Sequence, residues 1–305
     1  MSTFIKNSVL LNENNWNEII SNIDVFPFRI SEITMLNKEI KLSKVSFKYN
    51  IEGKETYFNG RQEVTLQTGE YLVASNQRYG EVKIADGGKK DIGVCIDINV
   101  AMLQQGLETF LNPNKYFSAA DKVNYFIEDE FFIKYKSNKE FHRYVVDVFN
   151  QVKTNSFYSL EEMECEFVKN FIFHQLPHLL AYKNIPAIKK ITKNELYNKM
   201  MIAKNQLQDS LYDTISVSEI AQNLYMSDFR FFHLFKDTFK VSPHRFLVQL
   251  KMNEALRLYK SGHYSWTEIA EKLKFADLPS FSKMFKKHYR MCPKEYALQL
   301  ISIVK

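Results

Sequence analysis

The sequence predicts an α+β multidomain chain. An N-terminal antiparallel β-barrel of the jelly-roll kind is followed by helices, then by an all-α domain of two helix-turn-helix motifs joined by a linking helix. Three observations predict it. Short runs of β-branched and aromatic residues, separated by turn residues, fill residues 28–98. Apolar residues at three-to-four spacing take over after Asn99. One pattern is then written twice between Ser216 and Tyr296.

Taken in order, residues 1 to about 28 read as an arm with little regular pattern. Seven strand-like runs follow: FRISEITML, KVSFKYNI, ETYFNG, QEVTLQ, EYLVAS, GEVKIAD and DIGVCIDI. Asn59-Gly60 predicts a two-residue hairpin, and Thr68-Gly69-Glu70 and Asp86-Gly87-Gly88 predict further turns. Helices are expected over 137–152 and 160–180, and Pro177 should kink or end the second. They either pack on the barrel or pair with a second copy in a homodimer. The basic stretch 182–194, with Pro186, reads as a linker. A helix from Glu195 to Leu211 opens the last domain. The expected division is therefore 1–136, a helical packing or dimerisation segment 137–181, a linker 182–194, and 195–305.

Within the duplication, Ser216 matches Ser265, Glu219 matches Glu268, Ile220 matches Ile269 and Ala221 matches Ala270. One residue is then added, after which Phe231 matches Phe281, Phe235 matches Phe285 and Pro243 matches Pro293. Each copy reads as two short helices. Ser227 caps the second helix of the first copy, and small Ala221 and Ala270 lie where the helices cross. The second helix of such a pair has the size and shape to enter a DNA major groove. Pro243 and Gly262 bound one helix, from about 244 to 260, that holds the two copies apart.

Charge agrees with that reading. Residues 186–305 hold 20 Lys and Arg against 11 Asp and Glu, a net of +9, so the chain's total of +6 leaves −3 on residues 1–185. A basic C-terminal third is the footprint expected of a phosphate-binding surface. On each second helix the apolar stripe turns to the core, which leaves an outer stripe and the first turn for DNA. In the first copy these residues are Ser227, Asp228, Phe229, Arg230, His233, Lys236 and Asp237, with Phe232 either outward or core. In the second they are Asp277, Leu278, Pro279, Ser280, Ser282, Lys283, Lys286 and Lys287. Arg230 suits a bidentate base contact, and Lys236, Lys286 and Lys287 suit phosphates.

Residues 196–299 resemble the DNA-binding domain of the AraC/XylS family of bacterial transcription regulators. The resemblance rests on the two Glu-Ile-Ala triplets, Phe235-Lys236, Phe285-Lys286, Pro243, Pro293 and the linking helix. Lys240, Lys274 and Arg290 stand where the family often has glycine, so turns that either carry strain or are built differently are expected there. The hairpin TYFNGRQEVTLQTGEYLVAS resembles, more loosely, the cupin-like sensor domain that precedes the DNA-binding domain in many of these regulators. The resemblance implies double-stranded DNA and RNA polymerase as partners, activation more often than repression, and a small-molecule effector. Phe47, Tyr49, Tyr57 and Tyr71 are candidate effector contacts and equally candidate core.

Other classes find less support. No run of apolar residues is long enough to span a membrane, and the N-terminus lacks a signal-peptide core, so a cytoplasmic protein is expected. All seven histidines lie at or after His142, so the strand region offers no imidazole for a metal, and no metal or cofactor is expected. His174 and His178 read as packing or surface residues. Cys95, Cys165 and Cys292 are odd in number and far apart, and are expected to be buried apolar residues. The competing reading is an enzyme in the barrel fused to a DNA-targeting domain, but no nucleophile motif or catalytic residue is found, so no enzyme is expected.

Overall fold

The computed structural model describes residues 8–21, 27–40, 45–60, 62–75, 80–85, 87–110, 131–156, 159–213 and 216–303. The chain divides into two compact units, Met1–Leu179 and Leu180–Lys305.

The first unit is built on two sheets. One has six strands in the order β1 (Ser8–Leu11), β2 (Phe28–Ile33), β9 (Asp91–Ile98), β4 (Val45–Glu52), β7 (Glu70–Ser75), β10 (Phe131–Lys136). The other has four, in the order β3 (Leu36–Ile40), β8 (Gly80–Ile84), β5 (Lys54–Phe58), β6 (Glu63–Gln67). The expected barrel is thus a pair of open, jelly-roll-like sheets. Pairing is antiparallel except between β1 and β2, which are parallel. Leu36, Tyr57, Leu66, Leu72, Ala74, Val82, Ile84 and Phe132 belong to one buried apolar cluster, contributed by both sheets.

Several local expectations are corrected. The N-terminal arm contains β1 and a short helix, α1 (Trp16–Ser21), whose Trp16 and Ile19 enter that cluster. Of the run FRISEITML, Phe28–Ile33 form β2, and its last residue, Leu36, already begins β3 in the other sheet. The Asn59-Gly60 hairpin closes over four residues, since Phe58 pairs with Glu63 and the Asn59 amide donates to the Gln62 carbonyl. Asp86 of an expected turn lies outside the described residues. After α2 (Val100–Phe110), the region expected to be wholly helical returns a strand, β10, to pair with β7.

Helices α3 (Lys139–Thr154) and α4 (Leu160–Lys183) follow. The Asn138 side chain caps α3 by accepting from the Phe141 amide at 2.8 Å. Pro177 lies inside α4 rather than ending it, and α4 continues into the expected linker. The next helix, α5 (Lys190–Asp209), starts five residues before the expected Glu195. The cysteines are not buried apolar residues: Cys165 is exposed, and Cys95 and Cys292 are half-buried. His178 packs edge-on against Tyr135 at 4.6 Å and His174 stacks on Phe141 at 4.2 Å, as packing residues.

The second unit is helical: α5, then α6 (Val217–Asn223), α7 (Asp228–Phe239), α8 (Pro243–Lys260), α9 (Trp266–Lys272), α10 (Leu278–Tyr289) and α11 (Pro293–Ile303).

Candidate nucleic-acid interface

The duplication in sequence is a duplication in space. Helix α6 starts with a reciprocal capping box, in which Ser216 Oγ accepts from the Glu219 amide and the Glu219 carboxylate accepts from the Ser216 amide. Helix α9 repeats it with Ser265 and Glu268. These backbone amides hold both carboxylates below the usual glutamate range.

The turns also match. After α6, the Met226 amide donates to the Ala221 carbonyl at 2.9 Å and the Tyr225 amide to Gln222 at 2.9 Å. After α9, Phe275 donates to Ala270 and Lys274 to Glu271, both at 3.0 Å. Both are Schellman closures, which need a left-handed residue, and Tyr225 and Lys274 supply it at φ 56° each. Lys240 and Arg290 end α7 and α10 in the same conformation, at φ 58° and 66°. Of the two expectations where glycine is missing, the strained one holds: the turns keep the left-handed residue, at Tyr225 as well as at Lys240, Lys274 and Arg290.

The second helix of each copy is held by the same core. Ile220, Ala221, Phe231 and Phe235 are buried in one, and Ile269, Ala270, Phe281 and Phe285 in the other. Phe231–Phe235 and Phe281–Phe285 have equal centroid separations of 5.7 Å. Ser242 caps α8, with Pro243 buried at its first position. Its 18 residues span about 27 Å at 1.5 Å per residue. Lys251 of α8 donates to the Leu273 carbonyl at 2.7 Å, capping α9 and tying the linking helix to the second copy.

With both helices fixed, the candidate DNA contacts can be placed. Phe229, Arg230, His233, Lys236 and Asp237 are exposed on α7, and Phe229 stands 76% exposed at its first turn. Phe232 is half-buried, between the two readings. Leu278, Pro279, Ser280, Lys283, Lys286 and Lys287 are exposed on α10, and Ser282 is half-buried. Three candidates also hold the fold. Ser227 and Asp277 are the N-caps, accepting from the Arg230 and Ser280 amides at 3.3 and 2.7 Å. Asp228 accepts from Ser218 Oγ at 2.6 Å, joining α7 to α6. His244, Arg245 and His288, outside the residues singled out from sequence, line with Arg290 a groove between the start of α8 and the end of α10. The repeat register reaches Arg290 through its match to Lys240; Arg245 carries no comparable signal.

The candidate effector contacts are all buried. Phe47, Tyr49 and Tyr71 lie on the face of the six-stranded sheet that meets α3 and α4, opposite to Leu72 and Ala74. Phe47 packs on Tyr71 and on Phe167, each at 5.1 Å, and the Tyr71 hydroxyl accepts from Gln175 Nε2 at 2.8 Å. Tyr49 meets Ser137 and His142 at 2.8 and 2.7 Å, and burial pushes its phenol up to about 12. Tyr57 does reach the inter-sheet core and donates to Glu55 at 2.6 Å. Near it lies a polar set outside the residues singled out from sequence. Arg29 pairs with Asp97 at 2.7 Å, Asp97 accepts from Ser46 Oγ at 2.7 Å, and Lys48 is buried. Gly93 leaves the room, since a Cβ there would sit 2.8 Å from Glu55 Oε1 and from Ser31 Oγ.

A helix-turn-helix domain family model matches residues 220–299, the span of both copies. The C-terminal segment is a helix-turn-helix domain. Probable transcriptional regulator LumQ of Photobacterium leiognathi is 26% identical over 97 residues, 32% of this chain and 39% of that protein. Transcriptional regulatory protein HptR of Staphylococcus aureus (strain NCTC 8325 / PS 47) is 27% identical over 110 residues, 36% of this chain and 42% of HptR. The chain thus spans about two fifths of the length of these relatives. Among solved structures, apo ToxT of Vibrio cholerae aligns over 88% of this chain and 95% of its own, at TM-score 0.37 and 11% identity. A regulator with an AraC-type DNA-binding domain from Chromobacterium violaceum aligns over 33% and 90%, at TM-score 0.31 and 24% identity.

No described helix is long and apolar enough to cross a membrane. Among the described residues, no three His, Cys, Asp or Glu side chains are grouped to hold a metal ion.

Proposed function

We propose that the chain is a sequence-specific DNA-binding transcription regulator, acting as an activator, whose N-terminal sheets sense an effector or form a dimer. One observation carries the DNA-binding part. Two recognition helices are capped, turned and packed alike, joined by a single rigid helix, and present exposed polar and basic faces. Such a pair reads successive major-groove segments, about 34 Å apart on one face of B-DNA. Arg230 stands in the first turn of α7, where side chains reach base edges. Lys286 and Lys287 stand in the last turn of α10, where the backbone passes. Lys236 takes the matching place on α7. RNA polymerase as a partner and the cytoplasm as location belong to the same reading. The buried rings at Phe47, Tyr49 and Tyr71 favour a core role, which leaves Tyr57 and the polar set around Glu55 and Lys48 as the effector contacts of choice.

Binding titrations on a selected duplex and a scrambled one test it. Arg230→Ala is expected to cost about 1–3 kcal/mol on the selected duplex and to relax preference at one or two base pairs. Lys286→Ala and Lys287→Ala are expected to weaken both duplexes alike, each making the slope of log K against log salt shallower by about one. Equal losses on both duplexes from Arg230→Ala would refute the base-reading role.

A further inference from the structure

The surface of the second unit is not uniformly basic. Three of its cations and two histidines line a groove of about 680 Å³ between the first two turns of α8 and the last turn of α10. His244 and Arg245 line it from α8, and Lys287, His288 and Arg290 from the end of α10. Val248 and Met284 contribute apolar surface. No carboxylate is among the lining residues. Among the described residues, no ion pair engages Arg245, Lys287 or Arg290. The positive end of the α8 dipole opens at the same place. Cations gathered this closely repel one another, and the fold supplies no counter-charge from the groove's own walls.

The groove is continuous with the proposed DNA face. Ser280, Lys283 and Lys287 follow one another at helical spacing on α10, and the last of them is also a groove wall. The groove opens where α7 has just ended and α8 begins, so it lies between the ends of the two recognition helices. A duplex seated on both helices must carry sugar–phosphate backbone across that interval.

We propose that this groove seats the DNA backbone between the two major-groove segments, with Arg245 and Arg290 as its phosphate ligands and Val248 and Met284 against the sugar. It rests on the DNA-binding reading above and adds to it a third, sequence-independent contact region. A phosphodiester fits because guanidinium groups bind phosphate oxygens in pairs, while the apolar wall suits a sugar face.

The test uses the full chain and a 30-base-pair duplex selected by that chain from a random library. Arg245→Gln and Arg290→Gln remove charge, and glutamine at 290 bears the same backbone penalty as arginine. Each is expected to make the slope of log K against log salt shallower by about one, and the double variant by about two, on selected and scrambled duplexes alike. Arg245→Lys and Arg290→Lys should restore the slope, which a merely structural role would not do. A second arm places methylphosphonates at the central phosphates of the duplex; the slope lost there should not add to the slope lost in the double variant. An unchanged slope in the double variant, with wild-type binding and the Arg230→Ala effect intact, overturns the groove contact alone and leaves the patch to another partner, such as an acidic peptide. Failure of the wild-type chain to select any duplex overturns both readings.

Discussion

Replacing Lys274 by glycine should stabilise this protein, against the usual effect of glycine. Lys274 sits in the left-handed region at φ 56°, at the turn between α9 and α10. A side chain in that region costs about 1–2 kcal/mol. Glycine escapes the penalty but gives back about 0.5–1 kcal/mol, through its greater freedom in the unfolded chain. The net expectation is a gain of about 0.5–1 kcal/mol. Lys274→Ala keeps the Cβ and the penalty, so it should change stability little, and the contrast isolates the backbone term from the loss of the lysine. The helical unit runs from Leu180 to Lys305, a size for which that gain raises the melting temperature by about 2–4 °C. Urea and thermal melts in a Trp16→Phe background would report it, since Trp266, stacked on Tyr259 at 3.9 Å, is then the single tryptophan. Tyr225 is 92% exposed and occupies the matching turn, so Tyr225→Gly should behave alike. A loss of about 1 kcal/mol from glycine, or equal behaviour of glycine and alanine, would refute the reasoning.

Glu55 gives the first unit a pH dependence. Burial raises its carboxyl from 4.5 to about 7, with Asp91 adding to the rise and the Tyr57 hydrogen bond and Lys48 opposing it. Between those values the folded chain holds more protons than the unfolded one, so stability falls as pH rises from 4.5 through 7, by at most about 3 kcal/mol. Glu55→Gln should flatten that fall; parallel profiles in urea melts between pH 5 and pH 8 would show that Glu55 is not the source. Arg29→Met should cost about 3–5 kcal/mol by leaving the Asp97 charge without its 2.7 Å partner, and Asp97→Leu added to it should recover most of the loss. A single-variant cost below about 1 kcal/mol would mean that Asp97 is solvated.

The helical unit was legible because its signals are local. Ser216 and Ser265 lie three residues before the glutamates they cap, and the apolar spacing of Phe231 and Phe235 states which face turns inward. The start of α5 lies five residues before Glu195, where the helix begins without a side-chain cap to announce it. The sheets were legible only as strands. Strands β4 and β7 are buried on nearly every residue, so alternation of polar and apolar residues could not say which face of Phe47 or Tyr71 meets the other sheet. That was decided by α3 and α4, whose Phe141, Phe167 and Phe171 cover those rings from more than 60 residues away in sequence. Strands β1 and β10 were missed for a related reason. Each lies at an end of its sheet and exists by pairing with one distant partner, β2 and β7 respectively. Caps, turns and helical faces are written in neighbouring residues, and a single sequence therefore contains them. Which strand lies beside which, and which face of a doubly buried strand meets a helix, depend on chain segments that only the folded structure brings together.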